Sequence, residues 1–276
     1  MKEKTLYVSD LDGTLLNKKK EITGYTAEVL NRCIEKGMRF AVATARMPYG
    51  CDYRLENIHM NIPGILTNGV FLYDFQKGKI ISAEEMTEEG AVQVTEAFHR
   101  HGLSCFVYTY DETGISIYYE KQKMEEQTQY YSRQALERCA EIRRVKEIKE
   151  ILPEKRTAYI AYSGEKEKLE LLCRELDKIE GIRYSFYLNI YNGRYCLEIF
   201  SHKASKKNAL EKLKEMTNSQ ELVVFGDNLN DLSMMEIADR SYAPKNALKE
   251  IKERANQVIG GCDEDGVAAF LEKEWG

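Results

Sequence analysis

The sequence predicts an α/β protein: a parallel-sheet core interrupted by an inserted α+β module. Three observations lead there. Phe40-Ala41-Val42-Ala43 is a continuous apolar run and Glu221–Phe225 (ELVVF) reads as a buried strand; such runs suit strands covered on both faces, as in parallel sheets. Strand and helix patterns alternate up to about residue 80 and return after about residue 190. Between them the texture changes to aromatic-rich strand pairs with turns. The chain has 276 residues, 43% hydrophobic and 31% charged. That is enough to bury a core without disulfides or a structural metal, and too apolar for a disordered chain.

The elements follow in order. Thr5–Ser9 is a short strand leading into Asp10-Leu11-Asp12-Gly13-Thr14. Thr23 is a helix N-cap, Ala27, Leu30 and Ile34 give an apolar face at 3–4 spacing, and Gly37 closes the helix. Phe40–Ala43 ends in Thr44-Ala45-Arg46, and Ile65-Leu66 ends in Thr67-Asn68-Gly69. Polar residues thus gather at carboxyl ends of strands, where open parallel sheets bind ligands. Thr87 to His101 is an amphipathic helix, and 104–110 with 114–119 is a hairpin turning at Asp111-Glu112-Thr113. Then come a polar helix over 123–141, a solvated charge-rich face over 137–155, a strand 156–162, a helix 165–179 and a strand 183–188. The core resumes with a strand 196–200, a helix 205–216, Glu221–Phe225 and a C-terminal helix 263–275. The boundaries that follow are 1–83 and 190–276 for the core and 84–189 for the insertion.

Forty Lys and Arg against 45 Asp and Glu give a net charge of −5, which argues against nucleic acid or an anionic membrane as the main partner. No apolar run reaches the roughly 18 residues of a membrane span, and the N-terminus lacks the apolar stretch of a signal peptide. Cys33, Cys51, Cys105, Cys139, Cys173, Cys196 and Cys262 are scattered, with no CxxC pair. Reduced thiols in a complete cytoplasmic chain are the expectation.

Two acidic clusters carry the chemistry. Asp10 and Asp12 flank one residue at a strand end, placed to hold a hard divalent cation or to divide labour as nucleophile and general acid/base. Asp227 and Asp231 lie in Gly226-Asp227-Asn228-Leu229-Asn230-Asp231, directly after another buried strand. Were the two strands neighbours and parallel, four carboxylates would converge, and their repulsion calls for a cation. Mg²⁺ and a lysine ammonium, with Lys206 the candidate, answer that need. Thr44 can offer its hydroxyl and the following backbone N–H groups to phosphoryl oxygens. Arg46 and Asn68 sit just beyond strand ends, within reach of a substrate phosphate or sugar, and Asn230 is a further candidate there. The simpler reading of Asp12, Arg46, Asn68 and Asp227 is as turn and cap residues.

Taken together, DLDGTLL, a strand-end Thr44, Lys206 and GDNLND, in that order, resemble the haloacid dehalogenase (HAD) superfamily of aspartate-nucleophile phosphotransferases. Thr-Asn-Gly at 67–69, Ser-Lys at 205–206, Met234 after GDNLND and Glu-Asp-Gly-Val at 264–267 resemble its Cof-type subclass IIB. The resemblance implies a Rossmann-like HAD core with an inserted C2-type cap. It implies that Asp10 attacks phosphorus and forms an aspartyl-phosphate, and that Asp12 protonates the leaving group and then deprotonates water. It implies Mg²⁺ held by Asp10, the Asp12 backbone carbonyl and Asp227, with Asp231 behind them or acting through water and orienting Lys206. Thr44 and Lys206 would hold the transferring phosphoryl oxygens. The chain departs from the usual pattern at Lys207, Val70, Pro244 and Lys245, none of which removes a principal group.

The expected activity is a Mg²⁺-dependent phosphatase acting on a small phosphorylated metabolite, such as a sugar phosphate. A phosphomutase on the same scaffold and a non-catalytic phospho-ligand sensor are the alternatives. Six cap tyrosines, Tyr108, Tyr110, Tyr118, Tyr119, Tyr130 and Tyr131, read as packing on a sheet face, and no histidine is assigned a role.

Overall fold

The computed structural model describes residues 4–121, 133–189 and 193–275. The elements begin β1 (Thr5–Ser9), α1 (Gly24–Glu35), β2 (Arg39–Val42), α2 (Pro48–Leu55), β3 (Gly64–Leu66), β4 (Phe71–Asp74), β5 (Lys79–Ala83) and α3 (Glu88–Arg100). Next come β6 (Phe106–Asp111), β7 (Gly114–Tyr119), α4 (Arg133–Glu137), β8 (Glu141–Arg144), β9 (Arg156–Gly164), α5 (Lys166–Leu176), β10 (Ile182–Asn189) and β11 (Arg194–Ser201). The chain closes with α6 (Lys206–Met216), β12 (Glu221–Phe225), α7 (Leu232–Met235), β13 (Arg240–Pro244), α8 (Lys249–Arg254), β14 (Gln257–Ile259) and α9 (Gly266–Trp275). It divides into two units, Met1–Ser82 with Ser205–Gly276, and Ala83–Ala204.

The first unit is built on a five-stranded sheet in the order β14-β13-β12-β1-β2. Every pairing in it is parallel, and β1 lies between β2 and β12 with Ser9 opposite both Val42 and Phe225. All five residues of β1 are buried, as expected of a strand covered on both faces. A bridge from Ala43 to Ile65 continues the parallel pattern toward a small sheet of β3, β4 and β5. Leu6, Val8, Ala41, Leu210, Leu213, Leu222 and Val224 form its core with neighbours from α6, α7 and α8. Thr23 caps α1 by accepting the Thr26 N–H at 3.0 Å. The C-terminal helix starts at Gly266, later than the sequence suggests. Asp265 adopts a left-handed conformation (φ 52°) and accepts the hydroxyls of Thr23 and Thr26 at 2.6 and 2.8 Å. That side-chain link replaces a helical start.

The second unit is a six-stranded sheet ordered β10-β11-β9-β6-β7-β8. It is antiparallel except for β7 with β8. Alternate residues of β6, β9 and β11 (Val107, Ile160, Leu197, Ile199) pack with α3 and α5 through Val94, Phe98, Leu169 and Leu172. The opposite register carries Tyr108 stacked on Tyr159, with centroids 4.1 Å apart, and the buried Glu198. Tyr110 and Tyr118 are also buried; Tyr130 and Tyr131 lie outside the described residues.

Three sequence expectations change here. The strand at 196–200, expected to reopen the core, is β11, paired with β9 and β10 over its length. A strand flanked by two antiparallel partners belongs to their sheet whatever its sequence texture, so the second unit extends to Ala204. Of the helix expected over 123–141, 122–132 fall outside the described residues, and the remainder is α4 followed by β8. The face expected to be solvated over 137–155 holds that edge strand and two single-turn helices that bury Ile148 and Leu152. Apolar residues spaced among charges anchor it.

Candidate active site

The adjacency of β1 and β12 brings the acidic turns together. Asp10 follows β1, and its backbone N–H donates to Phe225 O at 2.9 Å. Leu11 O then accepts the N–H groups of Thr14, Leu15 and Leu16, fixing the turn. Gly13 sits at φ +85°, and a Cβ there would lie 2.4 Å from Asp227 Oδ2. Only glycine lets the first turn approach the second so closely. Gly69 does the same on another side: at φ +98°, its Cβ would fall 2.2 Å from Ser205 O. The Thr67–Gly69 turn can therefore press against the start of α6, where Ser205 caps the helix and Lys206 opens it.

Lys206 is 2% exposed and is the centre of the site. Its Nζ donates to Asp10 Oδ1 at 2.6 Å and to Asp231 Oδ1 at 2.7 Å. Asp231, fully buried, accepts the backbone N–H groups of Asp227 and Asn228 on Oδ2 at 2.9 and 3.1 Å. Both its oxygens are thus engaged by the protein. Asp227 Oδ1 accepts the Thr14 hydroxyl at 3.1 Å. Oxygens of Asp10, Asp227 and Asp231 lie within 4.8 Å of one another.

The electrostatics follow from this crowding. Burial pushes Asp10 well above the usual carboxylate range, with Lys206 opposing and Asp231 and Asp227 adding to the rise. Burial and the Asp231 charge lift Asp227 to about 6. Burial works against the Lys206 ammonium, but Asp10 and Asp231 outweigh it and raise its pKa. Three carboxylates against one ammonium leave negative charge uncompensated, and the donor set is oxygen only. Both features fit a hard divalent ion such as Mg²⁺.

Asp12 stands apart from that cluster. Arg46 holds its carboxylate in a two-point grip, Nε and Nη2 each 2.7 Å from one oxygen, and Lys20 Nζ adds a contact at 2.8 Å. Burial would raise the Asp12 pKa, but Arg46 and Lys20 outweigh it and lower it. The side chain of Asp12 is held outside the cluster of Asp10, Asp227 and Asp231. Arg46, expected to reach a substrate phosphate, pairs with the Asp12 carboxylate. Thr44 is buried, and its hydroxyl accepts the Arg46 N–H at 3.2 Å. Asn230 Nδ2 donates to Asn68 Oδ1 at 3.3 Å, so those two candidates meet.

Sequence reasoning missed four participants. Thr14 buttresses Asp227 and Lys20 contacts Asp12. Asn246 donates from Nδ2 to Gly13 O at 2.7 Å and accepts the Cys262 N–H at 2.9 Å, tying a third loop to the first acidic turn. Arg54, on α2, is within electrostatic reach of Arg46 and Asp12. Thr14 follows the acid motif directly and could have been singled out. Lys20 and Asn246 depend on loops whose course no spacing reveals.

A profile of the haloacid dehalogenase-like hydrolases matches residues 7–271. The chain belongs to that family. It is 27% identical over 282 residues to 5-amino-6-(5-phospho-D-ribitylamino)uracil phosphatase YwtE of Bacillus subtilis, covering 96% of each chain. It is 27% identical over 280 residues to pyridoxal phosphate phosphatase YbhA of Escherichia coli, covering 95% of each. A haloacid dehalogenase-like hydrolase from Bacteroides thetaiotaomicron has the same fold, with a TM-score of 0.78, 26% identity and coverage of 98% and 99%. The protein is a HAD-family phosphatase, and it carries the Cof-type motif set quoted above.

Proposed function

We propose that this HAD phosphatase hydrolyses a small phosphorylated metabolite in a Mg²⁺-dependent reaction through an aspartyl-phosphate on Asp10. The observation that carries the reading is the Lys206 clamp. One buried ammonium touches both Asp10 and Asp231, while Asp227 stands beside them and Asp12 is held apart. Mg²⁺, held by Asp10, Asp227 and the Asp12 carbonyl, would neutralise phosphoryl oxygens and let an anionic nucleophile approach an anionic ester.

The residues divide the remaining work. Lys206 fixes Asp10 through Oδ1, leaving Oδ2 to attack phosphorus. The Oδ2–P bond forms, the P–O bond to the alcohol breaks, and Asp12 gives the departing oxygen its proton. Water then attacks the phosphorus, Asp12 takes its proton, and the Asp10–P bond breaks. Asp12 is ionised while Arg46 and Lys20 hold it. A bound phosphate competes for both cations, and their transfer to it lets Asp12 take up a proton from solvent before the departing oxygen needs it. Thr44 and the N–H groups after it line the phosphoryl site. Asp231 orients Lys206 and the second acidic turn.

The test is phosphate release from a panel of phosphorylated sugars, nucleotides and cofactors, with and without Mg²⁺, beside Asp10→Asn. Metal-dependent turnover that disappears in the variant supports the reading. Turnover that persists in the variant, or no release from any compound, overturns it.

A further inference from the structure

Two backbone turns carry the acidic cluster, and the loop 245–248, between β13 and α8, touches both of them. The Leu248 N–H donates to Asp227 O at 3.0 Å, which fixes the backbone of the second turn. The Asn246 side chain reaches the first turn, where Nδ2 donates to Gly13 O at 2.7 Å. Its amide can lie only one way round. Only the amide oxygen can accept the Cys262 N–H, which it does at 2.9 Å, so the nitrogen faces Gly13.

Gly13 is the pliable point of the first turn. At φ +85° it has no Cβ to restrict it, and its carbonyl shares one planar peptide with the Thr14 N–H. That N–H meets Leu11 O at 3.3 Å. The Thr14 hydroxyl donates to Asp227 Oδ1 at 3.1 Å. A hydrogen bond that pins the Gly13 carbonyl therefore sets where the Thr14 hydroxyl, and with it Asp227 Oδ1, can lie. One short loop thus holds Asp227 at both ends, the backbone through Leu248 and the carboxylate through Asn246, Gly13 and Thr14. Asn246 is itself exposed, so the core does not depend on it. We propose that Asn246 is a positioning residue for the divalent cation: through the Gly13–Thr14 peptide it keeps the Asp227 carboxylate in the orientation that binds the ion. This rests on the assignment of Asp227 to the metal in the phosphatase reading above. Loss of a group that orients a metal-binding carboxylate from behind lowers metal affinity by about tenfold to a hundredfold.

The experiment reads Mn²⁺ binding to the full chain, without substrate, from the loss of the free-ion electron paramagnetic resonance signal. Asn246→Ala is expected to raise the Mn²⁺ Kd by about tenfold. Thr14→Val, which removes the hydroxyl and keeps the shape, should raise it by a similar factor. The double variant rises no further than the larger single change, because both break one chain of contacts, whereas independent effects would multiply. Asp263→Ala is the control. It removes the contacts of Asp263 with the Lys18 N–H and Nζ, both 2.9 Å, which tie the loop before α9 to the stretch after Thr14 without touching Gly13. It leaves the Kd unchanged. In hydrolysis of p-nitrophenyl phosphate, Asn246→Ala raises the Mg²⁺ concentration for half-maximal rate, while kcat recovers at saturating Mg²⁺. An unchanged Kd in Asn246→Ala, single effects that multiply in the double variant, or an equal rise in Asp263→Ala overturns the proposal. So does a wild type that takes up no Mn²⁺. Asn246→Ser carries the same comparison if the Ala variant unfolds. A chain that binds Mn²⁺ but releases phosphate from no ester fails the phosphatase reading, and the Kd values still decide this one.

Discussion

Replacing Glu198 with Gln should make the protein more stable at pH 8 and less sensitive to pH. Glu198 lies on β11, is 8% exposed, and accepts the Tyr187 hydroxyl on Oε1 at 3.2 Å, while Oε2 has no partner. Burial lifts its pKa to about 7, with the Tyr187 contact opposing slightly. An acid whose folded pKa is raised binds its proton more tightly in the folded chain. Its stability is therefore full below about 4.5 and is lost as pH climbs toward 7. The gap between about 7 and the ordinary 4.5 is worth about 3 kcal/mol, at about 1.4 kcal/mol per pH unit. Gln carries the shape and hydrogen-bonding capacity of the protonated acid but never ionises. Urea unfolding of both proteins at pH 5 and pH 8 reads the difference. The variant should gain on the wild type by up to that amount between the two pH values, with equal m-values. A stability difference that stays constant with pH, or grows the other way, refutes a raised Glu198 pKa.

Three further outcomes follow from the site and the core. Lys206→Met strands Asp10 and Asp231 without their counter-ion. It should cost about 3–5 kcal/mol of stability by denaturant titration at neutral pH and abolish turnover; a variant as stable as wild type would contradict the buried clamp. Gly13→Ala forces a side chain into φ +85° and against Asp227 Oδ2. It should destabilise by about 1–2 kcal/mol and raise the Mg²⁺ concentration needed for half-maximal activity, and unchanged metal dependence would count against the close approach. Thiol titration at pH 8 should be slow in the native protein, because six of the seven cysteines are buried and burial raises thiols such as Cys173, to about 11. All seven should react promptly in urea, and rapid native labelling of Cys51 or Cys105 would contradict their burial.

The parts of the fold legible in the sequence are those written as long or uniform patterns. β2 and β12 contain continuous apolar runs, and α1 and α3 have periodic faces with threonine caps. The acidic turns could be read because carboxylates at the ends of buried strands need a reason to be there. β13 begins with Arg240 and ends with Pro244, and β14 has only three residues, so neither carries a period. β11 has a core-like texture because it is buried, and burial alone does not tell which sheet a strand joins. The grip of Arg46 and Lys20 on Asp12 was not legible either. It depends on loop paths that bring residues from three segments to one point, and Lys20 reaches it from a left-handed backbone position (φ 65°).

The insertion between Ser82 and Ser205 also bears on the order of folding. β1 is central in its sheet, yet one of its two partners, β12, begins at Glu221. As the chain emerges from a ribosome, the strand that precedes Asp10 waits more than 200 residues for its second neighbour. The second unit, Ala83–Ala204, is continuous in sequence and all present before α6 is made. Nascent chains should therefore protect the later-encoded unit first, while the earliest strand stays exposed on one edge and dependent on chaperones. The contact of Asp10 with Lys206, 196 residues apart, must wait for the second unit to be made. The proposed catalytic centre then completes only after α6 and β12 have been made, and products truncated before α6 carry Asp10 without Lys206.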